Sequence, residues 1–127
     1  MPIFKDTAFL YNSLGGFWQE LASRDDFKDA AAKAGLVIKF DITEPDASIW
    51  ITPTGICLGS QDIKPDITMS LTADTCHAFW KKDLSLPVAL AKKKIKAKGN
   101  IAKVLKLLPV IMPAFDMYPQ YMAKFNL

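Results

Sequence analysis

"LVIKFDIT", residues 36–43, marks the place where the chain changes its period. Leu36, Ile38, Phe40 and Ile42 alternate with Val37, Lys39 and Asp41, and side chains spaced by two share a face only on an extended backbone. The stretch predicts a first strand. Upstream, the apolar residues keep a helical period instead. In "DTAFLYNSLGGFWQELAS", residues 6–23, Leu10, Leu14, Phe17, Trp18 and Leu21 recur on one helix face. Gly15 and Gly16 weaken that helix, each by about 1 kcal/mol relative to Ala, and mark a kink or a close backbone approach. "FKDAAAKA", residues 27–34, predicts a second helix that Asp25 or Asp26 can cap and that Gly35 ends.

Downstream of the change, strand signals follow one another. "EPDA" predicts a turn, "SIWITP" a second strand, "TG" a hairpin, "ICLGS" a third strand and "DITMSLT" a fourth. The economical arrangement is a meander followed by one more strand. "ADTCHAFWKK" returns to helix, capped by Thr72 or Asp74, and "LPVALAKK" predicts another short helix starting at Pro87. In "KIKAKGN", residues 94–100, Lys94, Lys96 and Lys98 alternate with Ile95 and Ala97, which predicts a fifth strand with a cationic outer face. Gly99 is placed to turn the chain, Asn100 to cap, and Ile101, Val104, Leu105 and Leu108 to form an apolar stripe away from Lys103 and Lys106. In the last segment Ile111, Phe115, Tyr118, Met122 and Phe125 stand at helical intervals, but Pro109, Pro113 and Pro119 interrupt the hydrogen-bond ladder and predict short kinked pieces. Such a segment closes the core or forms a lid.

A length of 127 residues with 50% hydrophobic content suits one compact domain, residues 1–127. The net charge of +3 is unevenly placed: residues 81–106 carry nine lysines against Asp83, whereas residues 1–80 carry six cations against eleven acids. Cys57 and Cys76 stand apart with a single histidine, His77, so no zinc set can be assembled and no cofactor is expected. The N-terminus lacks the pattern of a secretory signal, and "LLPVIMPAF" is too short to span a bilayer, so a cytoplasmic protein with reduced thiols is expected. Catalysis has thin candidates. Cys76 and His77 are adjacent, so on a helix they point about 100° apart, and no phosphate loop, H-E-x-x-H or G-x-S-x-G is present. The lysine surface lacks an aromatic stacking platform, which argues against nucleic acid.

Two stretches carry a resemblance to a known family. "DITMSLTADTCHAFWKKDLSLPVALAKKKIKAKGNIAKVLKL", residues 66–107, and more loosely "SIWITPTGICLGSQDIKPDITM" before it, resemble the sterol carrier protein 2 lipid-transfer domain. The match rests on Asp66, Thr68, Met69, Leu84, Ala89, Lys94, Ile95, Lys96, Gly99, Asn100, Lys106 and Leu107. The resemblance implies an α+β fold: a five-stranded, mostly antiparallel sheet, helices covering one face, and an apolar tunnel between them. It implies non-enzymatic binding and transfer of fatty acid, fatty acyl-CoA or sterol-like lipids. The alternative is an accessory protein-interaction or dimerisation domain of the same fold. The tunnel lining is expected from Leu14, Trp18, Ile38, Phe40, Ile67, Met69, Leu71, Phe79, Val104, Leu108, Ile111, Phe115, Tyr118 and Met122. Lys94, Lys96 and Lys98 are expected either to be a solvated face or to meet a lipid head group or an anionic membrane surface. The chain ends in "KFNL" rather than the Ser-Lys-Leu peroxisomal address of many eukaryotic members, so a stand-alone microbial binder of acyl lipids is expected.

Overall fold

The computed structural model describes residues 4–99, 102–103 and 108–125, with residue 86 and residues 108–113 described by their backbone alone. Helix α1, Thr7–Leu10, starts at Asp6, whose carboxylate accepts the Phe9 N–H at 2.7 Å. It runs through a π turn, Tyr11–Gly15, into α2, Gly16–Ala22. The buried Ser13 hydroxyl donates to the Phe9 carbonyl at 2.7 Å inside this turn, competing with the ladder where the helix widens. The two glycines serve close approach. A Cβ on Gly15 would stand 3.1 Å from the Leu58 side chain, and one on Gly16 would strike the Tyr121 hydroxyl. Helix α3, Asp25–Ala34, departs from the expected cap: Arg24 is the N-cap and makes no side-chain bond there. Asp25 and Asp26 lie instead in the first turn, where a carboxylate complements the helix dipole.

The five strands are β1, Ile38–Thr43; β2, Ala47–Thr52; β3, Gly55–Leu58; β4, Ile67–Thr72; and β5, Lys96–Lys98. Their order is β3-β2-β1-β4-β5, and all neighbours are antiparallel except β1 and β4. The meander β1-β2-β3 is as the turn signals predict. The chain then crosses back and lays β4 along β1 in the same direction, with Ile38 opposite Ile67 and Ile42 opposite Leu71. Asp66 holds this joint: its carboxylate accepts the Val37 N–H at 2.9 Å, and its own N–H donates to the Val37 carbonyl at 2.8 Å.

Helix α4, Ala73–Trp80, is capped by Thr72, whose hydroxyl accepts the Thr75 N–H at 3.1 Å. Helix α5, Leu86–Ala91, begins one residue before Pro87, with Ser85 as its cap. Strand β5 is shorter than its alternation predicts. The amides of Lys94 and Ile95 both donate to the Ala89 carbonyl, at 2.9 and 3.3 Å, so the end of α5 keeps these residues out of the ladder. The predicted cap Asn100 and the stripe residues Ile101, Val104 and Leu105 lie outside the described residues.

The C-terminal segment corrects the sequence expectation most. It is one continuous helix, α6, Leu108–Met122, followed by a 3₁₀ turn, Ala123–Phe125, not a series of kinked pieces. Pro109 stands in the first turn, where the amide has no intrahelical partner. Pro119 is exposed, while Ala114, Tyr118 and Met122, all fully buried, fall four residues apart on the face that packs inward. Burial along that face outweighs the lost ladder bonds.

Candidate functional site

Helices α2, α4 and α6 meet over the inner face of the sheet in a box of aromatic rings. Phe17 lies edge-on to Trp80 at 5.1 Å and to Tyr118 at 5.0 Å, and Tyr118 stacks on Trp80 at 5.9 Å with the planes 17° apart. Trp18 reaches Trp80 at 5.3 Å and the strand residue Phe40 at 5.5 Å. At the other end Phe115 touches Phe79 at 5.3 Å and Trp80 at 5.2 Å. Such pairs contribute about 0.5–1.5 kcal/mol each beyond their area burial. The floor of the box is the row Ile38, Ile67, Met69 and Leu71, all buried.

Of the expected lining residues, Leu14, Trp18, Ile38, Ile67, Met69, Leu71, Tyr118 and Met122 lie in this core, with Phe40, Phe79 and Phe115 half-buried against it. Leu108 and Ile111 are backbone positions of α6, and Val104 lies outside the described residues. On α4 the expected lining residue is Phe79, whereas the structure buries Trp80 more deeply. The inward face of α4 is Ala73, Cys76, His77 and Trp80, a spacing of three and four that the helical period itself supplies. Phe17, though placed on the helical stripe, was not among the expected lining residues.

Two further grooves are present among the described residues. One, about 290 Å³, lies between α2 and α6 against Glu20, Met117 and Tyr121; the other, about 330 Å³, separates α3 from the β2–β3 hairpin at Phe27, Ala31 and Thr54. Neither is lined by the expected tunnel residues.

The lysines sit elsewhere. Lys96 and Lys98 pair with Ser70 and Thr68, on the outer face of the sheet opposite the aromatic box, while Lys94 precedes the strand; all three are exposed.

The polar groups at the box are buried. Burial pushes the Cys76 thiol up to about 12, which favours its protonated form. His77, buried, shares a hydrogen bond of 2.6 Å with the fully buried Tyr118 hydroxyl and meets the Phe4 ring edge-on at 5.9 Å. Burial raises the Tyr118 phenol above its ordinary range. The His77 pKa is lowered, first by burial and then by the Lys81 charge, against the smaller opposing effects of Asp74 and Asp83. A base depressed in the folded state keeps its full stabilisation above its unfolded value of 6.5 and loses it as pH falls below that value. The urea midpoint is therefore expected to fall between pH 7 and pH 5, and to fall less in His77→Gln; equal pH dependence in both proteins would remove His77 from this role. No group of three His, Cys, Asp or Glu residues fit to hold a metal occurs among the described residues. Among them also, no helix is long and apolar enough to cross a membrane.

Comparison with known proteins gives a consistent fold. Sterol Carrier Protein 2 from Yarrowia lipolytica, in its apo form, superposes with a TM-score of 0.64 at 16% identity, covering 85% of this chain and 91% of that one. Palmitated SCP2L2 from Aedes aegypti gives 0.61 at 20% identity, over 81% and 94%. The stereoselective inverting sec-alkylsulfatase Pisa1 from a Pseudomonas species gives 0.55 at 22% identity, but this chain spans only 14% of that enzyme. No curated protein matches the sequence. The sequence itself matches the SCP-2 sterol transfer family over residues 18–112, from the second half of the first helical rod into α6. With three quarters of its length matched and the five-stranded sheet shared, the chain belongs to the SCP-2 sterol transfer family.

Proposed function

We propose that the protein binds and carries a lipid, without catalysis, and that the apolar body of the ligand enters between α6 and the inner face of the sheet. The observation that carries this reading is the aromatic box. Phe17, Trp18, Trp80 and Tyr118 supply large apolar surfaces with few torsions to freeze, and Met69 and Met122 beside them adapt to an irregular partner. The half-buried pair Phe79 and Phe115 marks the end of the box at which a chain can enter. The ligand class is fatty acid or fatty acyl-CoA, with a sterol-like body as the variant, and the setting is the cytoplasm. SCP2L2 from Aedes aegypti, which shares this fold and was solved in a palmitated form, supports this choice of class. Lys94, at the end of α5, adds positive potential that draws the protein toward anionic surfaces, while Lys96 and Lys98 form a solvated outer face of the sheet.

Native mass spectrometry after mild purification is expected to show a bound lipid mass. Removing it should lower the melting temperature, and palmitate at 100 times its Kd should restore about 2.7 kcal/mol. Extracts free of lipid, together with a melting temperature indifferent to palmitate, palmitoyl-CoA and sterol, would overturn the reading. The second reading, an accessory domain, is favoured by the sulfatase likeness, in which the same fold is a small part of a long chain. Stable association with a partner protein in place of lipid uptake would support it.

A further inference from the structure

Helix α5 is short and turns one face to water. Ala89 is fully buried and Leu90 half-buried, so these two anchor the helix, while Pro87, Val88 and Ala91 are exposed. Val88 is 42% exposed, one of two large aliphatic side chains so exposed among the described residues. At three and four residues from Val88, Ala91 and Lys92 continue the same face. Three exposed lysines, Lys92, Lys93 and Lys94, then close the helix: their amides donate to the carbonyls of Val88, Leu90 and Ala89 at 2.9, 3.2 and 2.9 Å. Lys93 takes a left-handed backbone, φ 59°, where glycine is the residue of least strain. Among the described residues none of these three lysines has a carboxylate within ion-pair distance.

An apolar knob mounted on a helix end and edged by exposed cations is the chemistry of a surface that meets an anionic bilayer. We propose that the protein docks on anionic membranes through α5, with Val88, Pro87 and Ala91 entering the head-group boundary and Lys92, Lys93 and Lys94 facing the lipid phosphates. The occupant is set by charge complementarity: each lysine near such a surface strengthens attachment about fivefold, and the exposed Val88 on the turn before them supplies apolar surface for the head-group boundary. Lysines at a helix end also complement its dipole. That role acts on stability and not on vesicle binding. The inference deepens the lipid-carrier reading, and names where the carrier meets its donor and acceptor membranes.

Co-sedimentation with phosphatidylcholine vesicles, with and without phosphatidylglycerol, tests it. The parent protein is expected to bind only the anionic vesicles and to be released at high salt. Val88→Asp should weaken binding about tenfold, Val88→Ser by less, and the Lys92→Gln, Lys93→Gln, Lys94→Gln triple variant by about a hundredfold, with thermal unfolding close to that of the parent. Lys96→Gln with Lys98→Gln, on the outer sheet face, should lose less than about threefold. The proposal is overturned if the parent ignores anionic vesicles, if the α5 variants bind as it does, or if the β5 pair loses as much as the α5 triple. Palmitate binding separates the two readings. A parent that binds anionic vesicles through α5 but no palmitate or other lipid keeps the docking face and loses the carrier function, and one that binds palmitate but no vesicles does the reverse.

Discussion

Replacing Trp80 by alanine is expected to cost about 3–5 kcal/mol, a large share of the stability of an ordinary domain, and to lower the melting temperature by roughly 10–20 °C. Trp80 is 2% exposed and touches Phe17, Trp18, Phe79, Phe115 and Tyr118, so its removal opens a cavity at the place where α2, α4 and α6 converge. Relaxation cannot fill that space, because the neighbouring rings hang from three different helices. Phe79→Ala, at a half-buried position, serves as the comparison and should cost clearly less. A loss below about 1 kcal/mol for Trp80→Ala would show that α6 is not docked on this ring. The effect on ligand should follow: a protein that keeps its fold in Trp80→Phe but loses palmitate affinity ties the box to binding.

Gly99→Ala is expected to cost about 2–4 kcal/mol through the backbone alone. Gly99 has φ 109°, and a Cβ there would strike the Asp66 carbonyl and come within 3.2 Å of the Ile67 Cα. Neither backbone group can retreat, since the Asp66 and Ile67 amides are both bonded to the Val37 carbonyl, at 2.8 and 3.2 Å. Gly35 is the control. It too has a positive φ, 61°, but nothing lies within 4 Å of a Cβ placed on it, so Gly35→Ala should cost only about 1 kcal/mol. Urea unfolding of the two variants separates conformational strain from collision. Equal losses would mean that the approach of Gly99 to Asp66 carries no energy.

How much of this was legible in the sequence depends on whether a signal was local. The alternation in Ile38–Thr43 and Ile67–Thr72 reports burial on one face, and both strands lie where it places them. The Thr72 cap and the Gly35 stop are equally local. Strand β5 is shorter than its alternation predicts because the amides of Lys94 and Ile95 are taken by Ala89, a contact that no period reveals. The sequence predicts a broken C-terminal helix because each proline has a visible local cost, while the gain from burying Ala114, Tyr118 and Met122 depends on partners elsewhere in the chain. In the site, Trp18, Met69 and Tyr118 were within reach of helix and strand periods. The hydrogen bond between His77 and Tyr118 was not, since it joins residues 41 positions apart.

The parallel pair of β1 and β4 also sets the order in which this chain can fold. The meander β1-β2-β3 joins neighbours and can form early, in the time of hairpin closure. The central pairing cannot: Val37 and Asp66 are 29 residues apart, and the segment between them must be gathered before any of its bonds are made. Asp66 clasps the residue just before β1 from the position just before β4, so Asp66→Ala is expected to slow refolding more than it speeds unfolding in stopped-flow urea jumps.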